Sequence, residues 1–365
     1  MTRPRILAAV PLPPPITGQS IVSAMAVREL ARHADVEVVD TTVDASPVAA
    51  DRQLARRAVR WGRHLSRLRR RLRATRTDVL YFTPASSLVG LARDRATLAL
   101  VPREVRVVGH FHVADYDVLL RHPVAGRAAA RVLRRLDAAI VPSAYAASRL
   151  SRAAPDVPVH VVPNVVPPDR RVADADLEAK WGRPSRSRSV LFVANLLPDK
   201  GHELLADALV HVVGEAPETV TIVGAWPSAE VRARYQARLR ALGLADRVDV
   251  VGPQSGREVR SRLLEADVLA FPSTCGSESF GLALLEGMHA GCAALAVDHG
   301  AASELVRDGV EGRLVAPAAG ELAAGLADVL HHAERYGRAA AARARAAYGP
   351  ERFEAELPSI VLNLS

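Results

Sequence analysis

The feature that most narrows the fold is a repeated alternation. Short, mostly apolar runs of four or five residues take turns with longer stretches of helical periodicity. Ile6–Val10, Val36–Val39, Asp78–Phe82, Val105–Gly109, Ala138–Pro142 and Val159–Pro163 form a first series. Val190–Ala194, Val220–Val223, Val248–Val251, Val268–Phe271 and Ala293–Val297 form a second. Runs that stay apolar, instead of alternating with polar residues, read as strands buried on both faces. Thr17-Gly18-Gln19-Ser20 opens a helix through Leu30, and further helices are expected from about Leu204, Ala229, Glu258, Leu282 and Glu321. Strand and helix in alternation imply parallel sheets with helices on both sides.

The alternation stops once. Pro167, Pro168 and Asp169, then the polar run Arg183–Ser189, look like connecting chain, which places a linker near residues 164–188. The expected architecture is α/β, with two Rossmann-like parallel-sheet domains at 1–166 and 167–347. With 365 residues, each half is long enough to bury its own core. Arg3 and Arg5 before Ile6–Leu12 resemble a signal peptide only faintly, because Pro11 and Pro13–Pro15 cut the apolar run short. No segment reaches the roughly 18 apolar residues of a membrane span. The only cysteines, Cys275 and Cys292, fit no zinc or redox spacing, so a reduced, cytoplasmic compartment is expected.

Charge is unevenly spread. Residues 1–170 carry 27 arginines, no lysine and 14 acids, a net +13, whereas the remainder carries −5. The excess peaks at 52–76, which holds 11 arginines and no acid. Leu54, Ala58, Trp61, Leu65, Leu68 and Leu72 recur there at spacings of four and three, one stripe of a helix. That stripe covers a sheet, or its arginine face meets an anionic membrane surface at about 1 kcal/mol per basic residue; the two readings are compatible. Nucleic acid is not an expected partner, since aromatics make up 4% of the chain and no groove- or strand-reading motif occurs.

Several α/β enzyme classes are excluded by missing motifs. The chain has no GxGxxG after a strand, no GxxxxGK[ST], no HExxH and no GxSxG. What it does have is Pro272-Ser273-Thr274-Cys275-Gly276-Ser277-Glu278-Ser279-Phe280-Gly281-Leu282, followed by Glu286. A strand ends at Pro272 and a helix starts near Phe280 or Gly281. The first amides of that helix lack intrahelical partners and sit at the positive end of the dipole, which suits a diphosphate. Carboxylates at Glu278 and Glu286 would repel an anion unless each accepts hydrogen bonds from hydroxyls flanking it. A nucleotide sugar has that layout, with sugar hydroxyls, a diphosphate and a ribose diol in a row.

Glu-x7-Glu after a strand ending in Pro-Ser resembles the donor-site signature of retaining glycosyltransferases of family four, which have two Rossmann-like domains facing across a cleft, the GT-B fold. The resemblance implies that Glu278 contacts the donor sugar and Glu286 the ribose, while the amides of Ser279, Phe280, Gly281 and Leu282 hold sugar and phosphate. Val190–Gly201 is similar to the family's strand and basic loop, so Lys200 corresponds to the lysine that neutralises donor phosphates. Asn195 stands where many members have arginine. Ala266–Ser273, Val162–Val165 and Ser303–Gly312 also resemble family segments.

In the first half, Pro14–Gln19 is similar to the first family loop, where Gly18 would allow close backbone approach to the donor. Val107–His112 ends a strand where the family often has a histidine near the transferred sugar. The resemblance puts acceptor binding in this half, with His112 the first choice on the acceptor side and His110 the second; strand alternation lets both face one side while Phe111 faces the other. The resemblance also implies that residues 348–365, after the Gly349-Pro350 break, form a helix crossing back to the first domain. Asp115/Asp117 and Asp174/Asp176 read as solvated loops, and no metal or other cofactor is expected.

The resulting expectation is a glycosyltransferase moving a sugar, with retention, from a nucleotide-diphosphate donor to a glycan, glycolipid or small-molecule hydroxyl. Lys200, Glu278 and His112 are the expected catalytic groups. Base recognition would be largely by backbone near Gly252–Gln254. Location would be cytoplasmic, peripheral on the inner face of the membrane. An epimerase of the same fold and a non-catalytic membrane- or polyanion-binding protein stay open as alternatives at this point.

Overall fold

A computed structural model describes residues 3–42, 50–74, 76–183, 188–213 and 216–363, with the backbone alone for 50–60. The chain divides into two units. The first comprises Met1–Asn164 with Glu351–Ser365, and the second Val165–Pro350.

In the first unit, β1 (Arg5–Val10), β2 (Asp35–Asp40), β3 (Val79–Phe82), β4 (Arg106–His110), β5 (Ala138–Val141) and β6 (Val159–Val161) form a parallel sheet in the order β2-β1-β3-β4-β5-β6. Its strands are the apolar runs read from sequence, shifted by a residue or two. The helix Gly18–His33 shows why the chain folds this way locally. Thr17 caps it, accepting from the Ser20 amide at 3.1 Å, while the Ser20 hydroxyl accepts from the Thr17 amide at 3.0 Å. Val22, Ala26 and Leu30, four residues apart, are buried.

The arginine-rich segment is the helix Ala50–Ala74. Leu68 is fully buried and Leu72 packs against the core beside it, while Arg63, Arg67, Arg69, Arg70 and Arg73 are exposed. His64 is buried against Thr97 at 3.2 Å. The apolar stripe therefore covers the sheet along its described part; the side chains of Leu54 and Ala58 lie outside the described residues.

In the second unit, β7 (Ser189–Val193), β8 (Thr219–Val223), β9 (Val248–Gly252), β10 (Val268–Phe271), β11 (Ala293–Val297) and β12 (Gly312–Val315) are parallel in the order β12-β11-β10-β7-β8-β9. Counted from β7, this is the doubly wound order of dinucleotide-binding folds, reversing between β7 and β10. Side chains alternate between two cores. Leu191, Leu269 and Ala294 face helices Gly256–Glu265, Leu282–His289 and Ala333–Ala347, whereas Val190, Phe192, Val268 and Leu295 face His202–Leu209, Ala229–Ala241 and Ala319–His331.

Two expectations needed correction. Residues 164–188 are not simply a linker, because they contain a turn of 3-10 helix at Pro168–Arg170 and the helix Asp174–Trp181. Leu177 and Trp181, one turn apart, bury that helix against the second core. The strand β12 and the helix Ala333–Ala347 were not foreseen from sequence. The helix Pro350–Leu362 does start at the Gly349-Pro350 break, and it buries Phe353, Leu357 and Val361 in the first unit, where Arg106 donates to the Ile360 carbonyl at 3.2 Å.

Leu68→Ala should lower the stability of the first unit by about 2–5 kcal/mol, read as a lower urea midpoint. Arg67→Ala, on the exposed face, should stay within about 0.5 kcal/mol of the parent. Equal effects would mean that the apolar stripe does not carry the packing.

Candidate active site

The two loops that flank the strand reversal of the second unit meet at a glycine. After β7 the chain makes a turn of 3-10 helix at Pro198–Lys200 and passes through Gly201 at φ +84°. A Cβ at this position would lie 2.0 Å from the Pro272 carbonyl oxygen, so only glycine lets the β7 loop pass this close to the end of β10. The Thr274 amide then donates to the Asp199 carbonyl at 2.9 Å. These contacts bring Lys200 to Glu278, with Nζ donating to Oε2 at 2.7 Å.

The other Glu278 oxygen faces the helix Leu282–His289. Gly281, at φ +90°, is its N-cap, and its amide donates to Oε1 at 3.1 Å. Cation and helix start thus converge on one carboxylate, and an incoming anion would meet the same donors. Burial opposes the charge on Lys200, but Glu278, aided by Cys275 and Asp199, outweighs it and holds the ammonium above the ordinary lysine pKa. The Lys200 cation is therefore secure at neutral pH.

Glu286 lies inside the same helix and is 1% exposed. Arg170 Nη1 donates to both its oxygens, at 2.7 and 2.5 Å. Burial pushes the Glu286 carboxyl up and Arg170 pulls it back, with the net direction upward. Arg170 was not among the residues singled out in the sequence, where an arginine following Pro167-Pro168-Asp169 carries no signal. Its Nε has no hydrogen-bond partner among the described residues.

Ser279 and Phe280 are buried beside this site, Phe280 stacked edge-to-face on Tyr348 at 5.7 Å, while Leu282 is half-buried. Asn195 is exposed at the end of β7. The other lysine of the chain does structural work: Lys180 Nζ donates to the carbonyls of Leu263 and Ala290 at 2.9 and 2.8 Å, and to Cys292 Sγ at 3.3 Å. It ties together the ends of two helices, where a cation is favoured.

In the first unit, His110 closes β4 and is fully buried, and the His112 ring lies 4.3 Å from it, centroid to centroid. Phe111 faces the core and meets Tyr116 at 5.2 Å, as strand alternation requires. The Tyr81 hydroxyl pairs with His110 Nδ1. Burial lowers the pKa of His112 to about 4 and that of His110 well below the ordinary value, the latter helped by His112, so both rings are neutral near pH 7. Gly18 is the exposed first residue of its helix. The Asp-x-Asp pairs are not solvated loops: Asp117 is buried in the helix Tyr116–Arg121 and pairs with Arg149 at 2.6 Å, while Asp174 and Asp176 open the helix Asp174–Trp181 and pair with Arg345 at 2.9 Å and Arg260 at 2.5 Å. Among the described residues no group of three or more His, Cys, Asp or Glu could hold a metal ion.

A doubly wound unit that sets a lysine and a helix start at its strand reversal defines a class of proteins that hold anionic, nucleotide-like ligands. Residues 174–346 match the family described as Glycosyl transferases group 1, and residues 16–170 match Glycosyltransferase Family 4. The chain belongs to this glycosyltransferase family; it is an enzyme with the two-domain Rossmann-like GT-B fold. It is 38% identical over 175 residues to a phosphatidyl-myo-inositol mannosyltransferase of Mycobacterium tuberculosis, covering 46% of this chain and 43% of that one. With a D-inositol 3-phosphate glycosyltransferase of Nocardia farcinica it shares 36% over 155 residues, 41% of this chain and 33% of that one. The match thus spans less than half the length of each of these relatives. Among solved structures, sucrose-phosphate synthase from Thermosynechococcus elongatus superposes with a TM-score of 0.77 at 19% identity, covering 99% of both chains. Anabaena HepE, solved with UDP and glucose, superposes at 0.71 and 19% identity, over 99% of this chain and 98% of that one.

Glu286→Ala should destabilise the second unit by about 3–5 kcal/mol, because it strands a buried guanidinium, and the apolar pair Glu286→Leu with Arg170→Met should recover most of the loss. A single variant as stable as the parent would contradict the buried ion pair. His112 titrates lower in the folded chain than the roughly 6.5 of an unfolded one, and His64 shares this direction at about 4. Their contribution is fully present above about pH 6.5 and is lost as pH falls toward 4. His112→Asn should flatten the acid limb of stability against pH; an unchanged slope would overturn that assignment.

Proposed function

We propose that the enzyme transfers a sugar from a nucleotide-diphosphate donor to an acceptor hydroxyl, with retention at the anomeric carbon, in polysaccharide, glycolipid or glycoside biosynthesis. The observation that carries this is the convergence of Lys200 and the Gly281 amide on Glu278 at the β7/β10 reversal. In this reading Lys200 and the amides of Ser279, Phe280, Gly281 and Leu282 hold the diphosphate. Stabilising the charge that develops on it as the glycosidic bond breaks is electrostatic preorganisation. A diphosphate oxygen accepts the proton of the attacking hydroxyl on the same face, so no protein base is needed. Glu278 takes donor-sugar hydroxyls. Glu286 takes the ribose diol, its carboxylate held by Arg170. Asn195 supplies an uncharged donor, and Gly18 a close backbone approach.

His112, whose pKa of about 4 leaves it neutral near pH 7, can hydrogen-bond a sugar hydroxyl without bringing charge, and His110 with Tyr81 holds it in place. With Lys200 and the helix start as countercharge, no metal or other cofactor takes part in this scheme. A relative named for mannosyl transfer to phosphatidyl-myo-inositol and a structural neighbour solved with UDP-glucose support the donor and acceptor classes. The exposed arginines of helix Ala50–Ala74 support docking at the inner face of an anionic membrane. No helix among the described residues is long and apolar enough to cross a membrane.

Thermal-shift and hydrolysis measurements with UDP-, GDP-, ADP- and TDP-sugars test the donor. One base should stabilise the protein, and Lys200→Met or Glu278→Gln should cut turnover by about 100-fold or more. A folded protein that neither responds to nor hydrolyses any of these donors would sink the reading. Sedimentation with anionic vesicles tests the surface: Arg67→Glu with Arg70→Glu should lower binding by about tenfold or more, and binding equal to the parent would remove the membrane role.

A further inference from the structure

The first unit holds a cavity of about 510 Å³, of which the scheme above uses only the rim at Gly18, between the lining residues Thr17 and Gln19. It lies at the strand reversal of this sheet, between the loops that follow β1 and β3, with the end of β2, Trp61 and Val113 as its other walls. A reversal in an open parallel sheet is where ligands of α/β folds bind, and this volume suits a small ligand.

Three observations give its chemistry. Thr83 and Thr41 line the cavity at 2% and 8% exposure, and neither hydroxyl has a hydrogen-bond partner among the described residues. A buried hydroxyl left unpaired is costly, and a ligand with hydroxyl or phosphate oxygens would satisfy it. Second, two helices begin at this cavity, Gly18–His33 and Leu88–Leu100. Their caps, Thr17 and Ser87, line it, and neither helix has an acid in its first turn. Third, no carboxylate appears among its described lining residues, whereas Arg93 does.

Arg93 is fixed by Asp94, at 2.6 Å from Nη2, and Asp94 in turn accepts from the Ala85 amide at 2.7 Å. That network holds the β3 loop as one wall. Convergent hydroxyls alone would take any polyol. Two helix starts facing a space free of carboxylates select an anion.

We propose that this cavity is a subsite for a phosphate ester on a hydroxylated acceptor: the phosphate sits at the two helix starts, hydroxyls on Thr41 and Thr83, and the ring against Trp61. The proposal rests on the transfer to an acceptor hydroxyl proposed above; it places that acceptor on the first unit and narrows it to an anionic one. A soluble sugar phosphate and the headgroup of a phospholipid share this chemistry.

Calorimetric titration with glucose 6-phosphate and with glucose tests it, on the parent, on Thr41→Val with Thr83→Val, on Trp61→Leu and on Lys200→Met. The parent should bind the ester at least about tenfold more tightly than glucose. The double threonine variant should lose about tenfold, Trp61→Leu should weaken binding, and Lys200→Met should match the parent. Vesicles of phosphatidylcholine with and without phosphatidylinositol repeat the comparison for the lipid source. Loss of retention on the inositol lipid in the threonine variant, with no soluble binding, would assign a headgroup. Equal affinity for ester and glucose, loss in Lys200→Met instead of the threonine variant, or no threonine-dependent binding of either source would each overturn the proposal. Urea midpoints show whether the threonine variant is folded; if it is not, Trp61→Leu decides in the same way. Donor hydrolysis by the parent is read separately, so failure of the donor scheme and failure of this subsite are distinct outcomes.

Discussion

A carbonyl oxygen packed against an α-carbon sets the geometry of the second unit. The Pro272 oxygen comes so near Gly201 that no side chain fits there. The loops after β7 and β10 can therefore join through Thr274 and Asp199. Lys200 sits one residue before that contact and Glu278 four after Thr274, and their ion pair follows from it. The helix start comes with the same loop, because Gly281 adopts a left-handed conformation before the first turn. One backbone contact thus positions cation, carboxylate and amide.

Two of the buried ionic groups described in this unit show how differently the same residue types are used. Arg170 and Glu286 are both almost fully buried, and one Arg170 nitrogen donates to both carboxylate oxygens. Such a pair contributes little net stability over apolar residues of the same size, but breaking it strands a charge. Its effect is to hold one carboxylate in one orientation. Lys180 is buried as deeply, and burial pushes its pKa down against the pull of Cys292. It uses helix-end carbonyls as partners, so it locks two helices together.

The first unit separates packing from charge within single elements. Along helix Ala50–Ala74, Leu68 and Leu72 face the sheet and the arginines face water. At the end of β4, Phe111 is given to the core, and the two histidines to the opposite side, where burial strips them of charge. The strand reversals carry ligand-sized spaces or donors in both units because neighbouring loops diverge there.

Much of the fold was legible in the chain because buried parallel strands are continuous apolar runs, which announce themselves. β12 was missed because Gly312–Val315 contains Arg313 and is only half-buried at a sheet edge. The helix Asp174–Trp181 was missed because its apolar side is only Leu177 and Trp181 among charged neighbours. Lys200, Glu278 and Gly281 could be picked out, since a strand, a loop of small residues and a helix follow each other locally. Arg170 could not, because its partner lies 116 residues away. Nor could the cavity of Thr41 and Thr83, whose walls come from five separate segments. Local order along the chain decided the strands, the helices and the helix-start anion site. Which distant side chains would meet, and which hydroxyls would be left facing an empty space, depended on packing, because burial and pairing are properties of neighbours in space and not of neighbours in sequence.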